Sequence, residues 1–145
     1  MPSPIAVAVD GSPESTGVLT LASEIARALN APVHVLCTVD RAYALPLTDA
    51  AEQEAEDYPA AADEECRAVG VLADAVARLR AEGCAAEAME LVGEPAPAIV
   101  RAAAALDCRM IVMGHRHLSW LSRLLHPSVC AEVIDTAPCP VLVSN

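Results

Sequence analysis

Residues that could hold an anion are concentrated in one stretch of the chain, from Val112 to Cys130. The stretch begins with an apolar run that ends at Gly114. It continues to Ser128, where apolar residues begin to recur at the spacing of a helix. Strand, glycine turn and helix start in this order can form a phosphate cradle, because the N–H groups at a helix N-terminus point towards a bound anion. Three basic side chains follow the glycine directly: His115, Arg116 and His117.

A second turn with binding chemistry follows the apolar run 5–9 and reads Asp10-Gly11-Ser12. The glycine permits a tight turn, and Ser12 is a suitable N-cap for a helix whose first residue is Pro13. Asp10 can accept a hydrogen bond from a ribose hydroxyl, or it can cap the turn and the helix that follows. The sequence leaves both roles of Asp10 open.

Strands and helices alternate around these two turns. Apolar runs predict five strands, at residues 5–9, 33–39, 85–92, 109–113 and 140–143. Helical spacing predicts helices from Ser12, over 61–81, from Pro97 and over 128–136. The apolar stripes of the first three are Val18, Ala22, Ile25, Ala26 and Leu29; Val69, Leu72, Val76 and Leu79; and Ile99, Ala103 and Leu106. Residues 40–60 are acidic and aperiodic, and they predict a long solvated loop.

This alternation predicts an α/β domain with a parallel sheet and helices on both of its faces. Glu87 and Glu90 interrupt the third apolar run, so we expect that strand at an edge of the sheet. Ligands of such sheets bind at the carboxyl ends of the strands, where the winding direction switches. If the first and fourth strands are neighbours, the turns at Asp10 and Gly114 lie side by side and form the one pocket that the sequence proposes.

The composition limits the classes of partner. The 145 residues are 54% hydrophobic and 2% aromatic, which predicts a core of Ala, Val, Leu and Ile. The formal net charge is −11 and there is no lysine, which argues against nucleic acid and anionic membrane surfaces. No apolar run approaches the length of a membrane span, and the N-terminus lacks the basic region of a signal peptide. We therefore expect a cytoplasmic protein.

Six cysteines are spread through the predicted strands and helices: Cys37, Cys66, Cys84, Cys108, Cys130 and Cys139. None belongs to a C-x-x-C pair, so we interpret them as small buried residues in a reducing compartment rather than as disulfide partners. His115, His117 and His126, with Cys130 four residues after the last, could ligate zinc or copper. Their spacing matches no recognised metal motif, and the sequence favours no metal site.

Several segments together resemble the universal stress protein family over essentially the whole chain. They are the two glycine turns and the stretches 119–125, Ser128-Val129 and Ala137-Pro-Cys-Pro-Val-Leu-Val143. The resemblance implies one domain, residues 1–145, with an adenine-nucleotide-binding-like fold and strand order 3-2-1-4-5. It also implies a homodimer in which the fifth strands of two chains pair, and no established catalytic activity.

Many members of that family bind ATP through glycine, two residues, a second glycine, nine residues and a third glycine followed by Ser or Thr. Here these positions are Gly114, His117 and Pro127, with Ser128 after the last, and Trp120 stands where the family often has a small residue. An imidazole fills space that phosphates need, and proline lacks an N–H. One lost charge-assisted hydrogen bond alone weakens binding roughly ten- to a hundredfold. The resemblance places a nucleotide pocket at Asp10, Thr38, Val39, Met113, Gly114, Arg116, Ser128 and Val129.

Three functions follow from these residues. The first is a dimeric binding or regulatory module that does not use ATP in the usual manner of the family. The second is an ATP- or AMP-dependent switch in which Arg116 and the histidines replace the lost backbone contacts. The third, a nucleotide hydrolase, ranks last because no nucleophile is paired with a base and no lysine exists to serve a Walker motif.

Overall fold

A computed structural model describes residues 2–11, 15–39, 59–114 and 129–144, with the side chains of 59–66 excepted. The strands are β1 (Ile5–Ala8), β2 (Val33–Val39), β3 (Ala86–Val92), β4 (Met110–Gly114) and β5 (Val141–Ser144). The helices are α1 (Ser15–Leu29), α2 (Pro59–Ala81), α3 (Pro95–Ala105) and α4 (Val129–Thr136). Strand and helix alternate along the chain, as the sequence predicts.

The five strands form one parallel sheet in the order β3-β2-β1-β4-β5. This confirms the predicted strand order and the edge position of β3. Strand β1 lies at the centre, and three of its residues, Ile5, Ala6 and Val7, are fully buried. Its uninterrupted apolar run follows from this position, because a central parallel strand is covered on both faces.

Helices α1 and α2 pack on one face of the sheet, and α3 and α4 pack on the other. Alternate residues of each strand supply the two cores. On the first face Val35, Cys37 and Val39 of β2 meet α2, and on the second face Leu36 packs with Ile99 of α3. Small aliphatic side chains fill both layers, as the near absence of aromatic residues requires.

Several details of the helices differ from the sequence prediction. Leu29 of the predicted α1 stripe is 37% exposed, and α2 begins at Pro59 rather than at residue 61, so the predicted loop is shorter by two residues. The side chain of Val69 is 53% exposed, and Ala68 is buried in its place, whereas Leu72, Val76 and Leu79 are buried as predicted. Helix α3 begins at Pro95 rather than at Pro97, with Glu94 in an extended conformation before it. Pro95 thus takes the first helical position, where a missing N–H costs no hydrogen bond.

Arg78 of α2 ties that helix to α1. Its guanidinium donates to the backbone oxygen of Thr16 at 3.1 Å and to the hydroxyl of Thr20. Its Nε lies 3.5 Å from the carboxylate of Glu82. A hydrogen bond from Ser23, and then the charge of Arg78, hold the pKa of Glu82 below its ordinary value. These contacts fix the angle between the helices that cover the first face.

No helix within the described part of the chain is long and apolar enough to cross a membrane. Among the cysteines with described side chains, Cys37, Cys84, Cys108 and Cys130 are buried, Cys139 is half-buried, and none is joined to another in a disulfide. Their burial agrees with the interpretation of small core residues.

Candidate ligand-binding crevice

The two glycine turns lie beside each other at the carboxyl edge of the sheet. Strand β1 pairs directly with β4, with Val7 opposite Val112. The chain leaves β1 towards β2 on one side and leaves β4 towards β5 on the other. The carboxyl ends of β1 and β4 are therefore the point at which the winding of the sheet switches, where doubly wound folds bind their ligands.

Asp10 is held by the first residue of α1. The hydroxyl of Ser15 donates to Oδ1 of Asp10 at 3.1 Å. The backbone N–H of Asp10 donates in turn to the hydroxyl oxygen, Oγ, of Ser15 at 3.4 Å. This pair of contacts links the end of β1 to the start of α1. It gives Asp10 a turn-stabilising role, which is one of the two roles that the sequence left open.

Gly11 is required by the backbone and by its surroundings. Its φ is +82°, in the left-handed region that favours glycine. A Cβ at this position would lie 2.6 Å from Cγ2 of Val71 in α2. The turn after β1 is thus packed directly against Val71 of α2.

The carboxyl end of β2 brings Thr38 to the same edge. Ala8 lies opposite Leu36, and the N–H of Val9 donates to the oxygen of Leu36 at 2.9 Å. Continuing this register by two residues places Thr38 beside Asp10. The Thr38 side chain is half-buried, whereas that of Val39 is fully buried and its backbone oxygen accepts from the N–H of Gly93 at 3.1 Å.

The end of β4 and the start of α4 form the other side of the crevice. Gly114 is half-buried and lies opposite Ser144 of β5. Met113 and Val129 are buried in the core on the α3 and α4 face. Both ends of the segment that links β4 to α4 are therefore anchored by apolar packing.

Part of the predicted site lies outside the described residues. This holds for Ser12 and Pro13, for Arg116 and Ser128, for the motif departures His117, Trp120 and Pro127, and for His115 and His126. The remaining member of the predicted metal cluster, Cys130, is buried among apolar side chains, and burial raises the pKa of its thiol. Among the described residues, no group of three or more His, Cys, Asp or Glu side chains is placed to hold a metal ion.

Ser15 and Val71 are crevice residues that sequence reasoning missed. The sequence did not indicate Ser15, because Ser12 is the more obvious N-cap of the helix. It did not indicate Val71 either, because Val71 lies sixty residues away from Gly11, whose turn it contacts. A glycine-bearing turn after a buried strand signals close approach by some element, but it does not say which element approaches.

A parallel sheet with a crevice at the strand-order switch defines the doubly wound α/β class. The profile of the universal stress protein family matches residues 1–145, and the chain belongs to that family. A universal stress protein of Thermus aquaticus is 42% identical over 57 residues, which are 39% of this chain and 42% of that protein. The aligned segment thus spans less than half the length of this relative.

Solved structures of the family share the whole fold. A universal stress protein from Archaeoglobus fulgidus in complex with dAMP is 29% identical, with a TM-score of 0.72 over 98% of this chain and 97% of that one. A universal stress protein in complex with cAMP is 26% identical, with a TM-score of 0.73 over 99% and 97% of the two chains. Both relatives bind a nucleotide with a single phosphate group.

Proposed function

We propose that this chain is a dimeric regulatory module whose crevice does not bind ATP in the usual manner of the family. One observation carries the proposal: His117 and Pro127 stand at two of the three glycine positions of the family's ATP motif. The described frame around them, from the Asp10 turn to Gly114, keeps the family's architecture. A triphosphate would therefore find the architecture of the family's binding site but fewer of the backbone groups that bind its phosphates.

A second function, an adenine-mononucleotide switch, is supported by the nucleoside side of the crevice. Asp10 is oriented by Ser15, Thr38 lies beside it, and Gly114 is retained at the end of β4. Relatives of this chain hold dAMP or cAMP. A single phosphate needs fewer backbone donors than a triphosphate, and Arg116 can supply charge to it.

Thermal unfolding with AMP and with magnesium-ATP separates these two functions. A ligand at a hundred times its dissociation constant adds about 2.7 kcal/mol, which raises the melting temperature of a chain of this size by roughly 5–10 °C. The regulatory module predicts no shift with low-millimolar magnesium-ATP. A shift with AMP alone would establish the switch, and no shift with any adenine nucleotide would eliminate it.

The exposed edges of the sheet support the dimer. Strand β3 carries Glu87 and Glu90, and charged side chains discourage a further strand from pairing there. Strand β5 is apolar except for Ser144, and all four of its residues are half-buried. Next to it, Ile134 of α4 is 52% exposed. We propose that a second copy of the chain pairs with β5.

Backbone geometry provides a specific test of this dimer. The N–H of Ile111 donates to the backbone oxygen of Pro140, so this backbone oxygen faces β4. Backbone groups of successive residues in a strand face opposite sides, so the N–H and C=O of Val143 point away from β4. Val143→Pro removes an outward donor without breaking the β4 ladder, and it should produce a folded monomer by light scattering. A monomeric parent protein, or a variant that remains a dimer, would contradict pairing through β5.

We further propose a non-enzymatic protein of the cytoplasm. At the crevice, Asp10 accepts a hydrogen bond from the hydroxyl of Ser15, and a carboxylate acceptor that fixes a helix start is a structural role rather than a base–nucleophile pair. Phosphate release from ATP above the blank rate, lost in Asp10→Ala, would overturn the first part of this proposal.

A further inference from the structure

Two cysteines that are 31 positions apart in the sequence meet at the amino edge of the sheet. Cys108 lies two residues before β4 and Cys139 lies two residues before β5, and these two strands are paired with Ile111 opposite Val141. The hydrogen bond from the Ile111 N–H to the Pro140 oxygen, at 2.9 Å, keeps the two chain segments together before the ladder begins. Continuing the register places Cys139 beside residue 109, one position from Cys108.

Both side chains point to the same side of the sheet. Cys108 is buried in the apolar cluster under α3 and α4, and Cys139 packs against that cluster. Adjacent strands about 4.8 Å apart, with an offset of one residue, put the two Cα atoms about 6 Å apart, within the range of disulfides. Burial, and then the charge that Cys139 would carry, raise the pKa of Cys108, as expected for two thiols that lie near each other.

We propose that Cys108 and Cys139 form a reversible intrachain disulfide when the protein meets a peroxide. Cys139 is half-exposed and reacts first: its thiolate attacks the peroxide O–O bond and becomes a sulfenic acid, releasing hydroxide. The thiolate of Cys108 then displaces the hydroxyl group from that sulfur and closes the disulfide. In total, two thiols and one hydrogen peroxide give one disulfide and two water molecules.

The other thiols with described side chains lie elsewhere in the fold. Cys37 and Cys84 lie in the cluster on the opposite face of the sheet. Cys130 shares the cluster of Cys108, but it lies at the start of α4, at the carboxyl edge, whereas Cys139 follows the end of that helix. The pairing is therefore specific to the segments that precede β4 and β5.

Peptide mapping tests the proposal on the full chain. Because burial raises the pKa of both thiols, the reduced protein is treated with hydrogen peroxide at increasingly alkaline pH. It is then alkylated under denaturing conditions and digested with trypsin. Because the chain has no lysine, Cys108 lies in the fragment 102–109, and Cys130 and Cys139 share the fragment 124–145. We expect these two fragments to be joined by a bond that is lost on reduction.

Matched serine variants assign the bond. The link between the fragments should persist in Cys130→Ser and disappear in Cys139→Ser. The oxidised parent and Cys130→Ser should melt roughly 5–10 °C above their reduced forms, because the bond closes a loop of about thirty residues. The proposal is overturned if Cys108 remains fully alkylated after oxidation, if the link survives Cys139→Ser, or if the disulfides found join two chains.

Discussion

Gly11→Ala should destabilise the protein by about 1–4.5 kcal/mol, as the sum of two separable costs less a small gain from the unfolded state. Holding an L-residue at φ +82° costs about 1–2 kcal/mol. The new methyl group would lie 2.6 Å from Cγ2 of Val71, and overpacking of this kind costs about 1–3 kcal/mol. Valine in a helix is confined to one χ1 rotamer, so Val71 cannot turn away. A small offset, about 0.4–1 kcal/mol, comes from the stiffer unfolded chain.

Gly83→Ala is the matched control for the backbone cost alone. Gly83 has φ +91°, and a Cβ there would meet no atom within 4 Å. We expect Gly83→Ala to cost only about 1 kcal/mol after the unfolded-state offset. The difference between the two alanine variants then measures the contact between the β1 turn and α2.

A double-mutant cycle with Val71→Ala completes the test. Urea unfolding followed by circular dichroism gives the free energy of each variant, and unchanged m-values exclude altered unfolded states. Removing the Val71 methyl groups should recover about 1–3 kcal/mol in the Gly11→Ala background. If Gly11→Ala proved as mild as Gly83→Ala, or if the two substitutions were additive, then α2 would not be packed on the turn as the structure shows.

Three further predictions concern single residues outside the crevice. Ser23 and Arg78 lower the pKa of Glu82, so the ionised Glu82 side chain stabilises the fold at pH values above its ordinary pKa of 4.5. This stabilisation is lost as the pH falls through the pKa of the folded state. In Glu82→Gln the free energy of unfolding should therefore depend less steeply on pH in this acidic range, and its pH dependence near neutrality should be unchanged. Burial raises the pKa of Cys108 to about 11, so native-state alkylation of this thiol should accelerate with pH well beyond pH 9. Asp107 ends α3 at φ +51°, and Asp107→Gly should raise the melting temperature by roughly 1–3 °C, with a smaller gain for Asn30→Gly at φ +52° because asparagine tolerates this region better; no gain at Asp107 would contradict strain at that position.

The sequence was sufficient for the layout of the sheet because its central strands are covered on both faces. Strands β1 and β4 appear as uninterrupted apolar runs, whereas Glu87 and Glu90 mark β3 as an edge. The strand order itself came from the resemblance to a family, since apolar runs do not say which strands are neighbours. With the order known, the positions of Asp10 and Gly114 at the switch point follow.

The contacts between distant segments could not be predicted. Ala68 rather than Val69 faces the sheet because the rotation of α2 is set by its packing on β2 and β3, and alanine gives a weaker periodic signal than valine. Val71 meets Gly11, and Cys108 meets Cys139, only through the register of the folded sheet. Pair contacts of this kind depend on three-dimensional proximity, which spacing along one sequence does not encode.

Calorimetry with magnesium-ATP on the parent protein and on the triple variant His117→Gly, Trp120→Gly and Pro127→Gly tests the central claim most directly. The account predicts no measurable heat of binding for the parent protein, and binding in the micromolar range for a folded triple variant. Tight binding by the parent protein, or a folded triple variant that still ignores ATP, would contradict it.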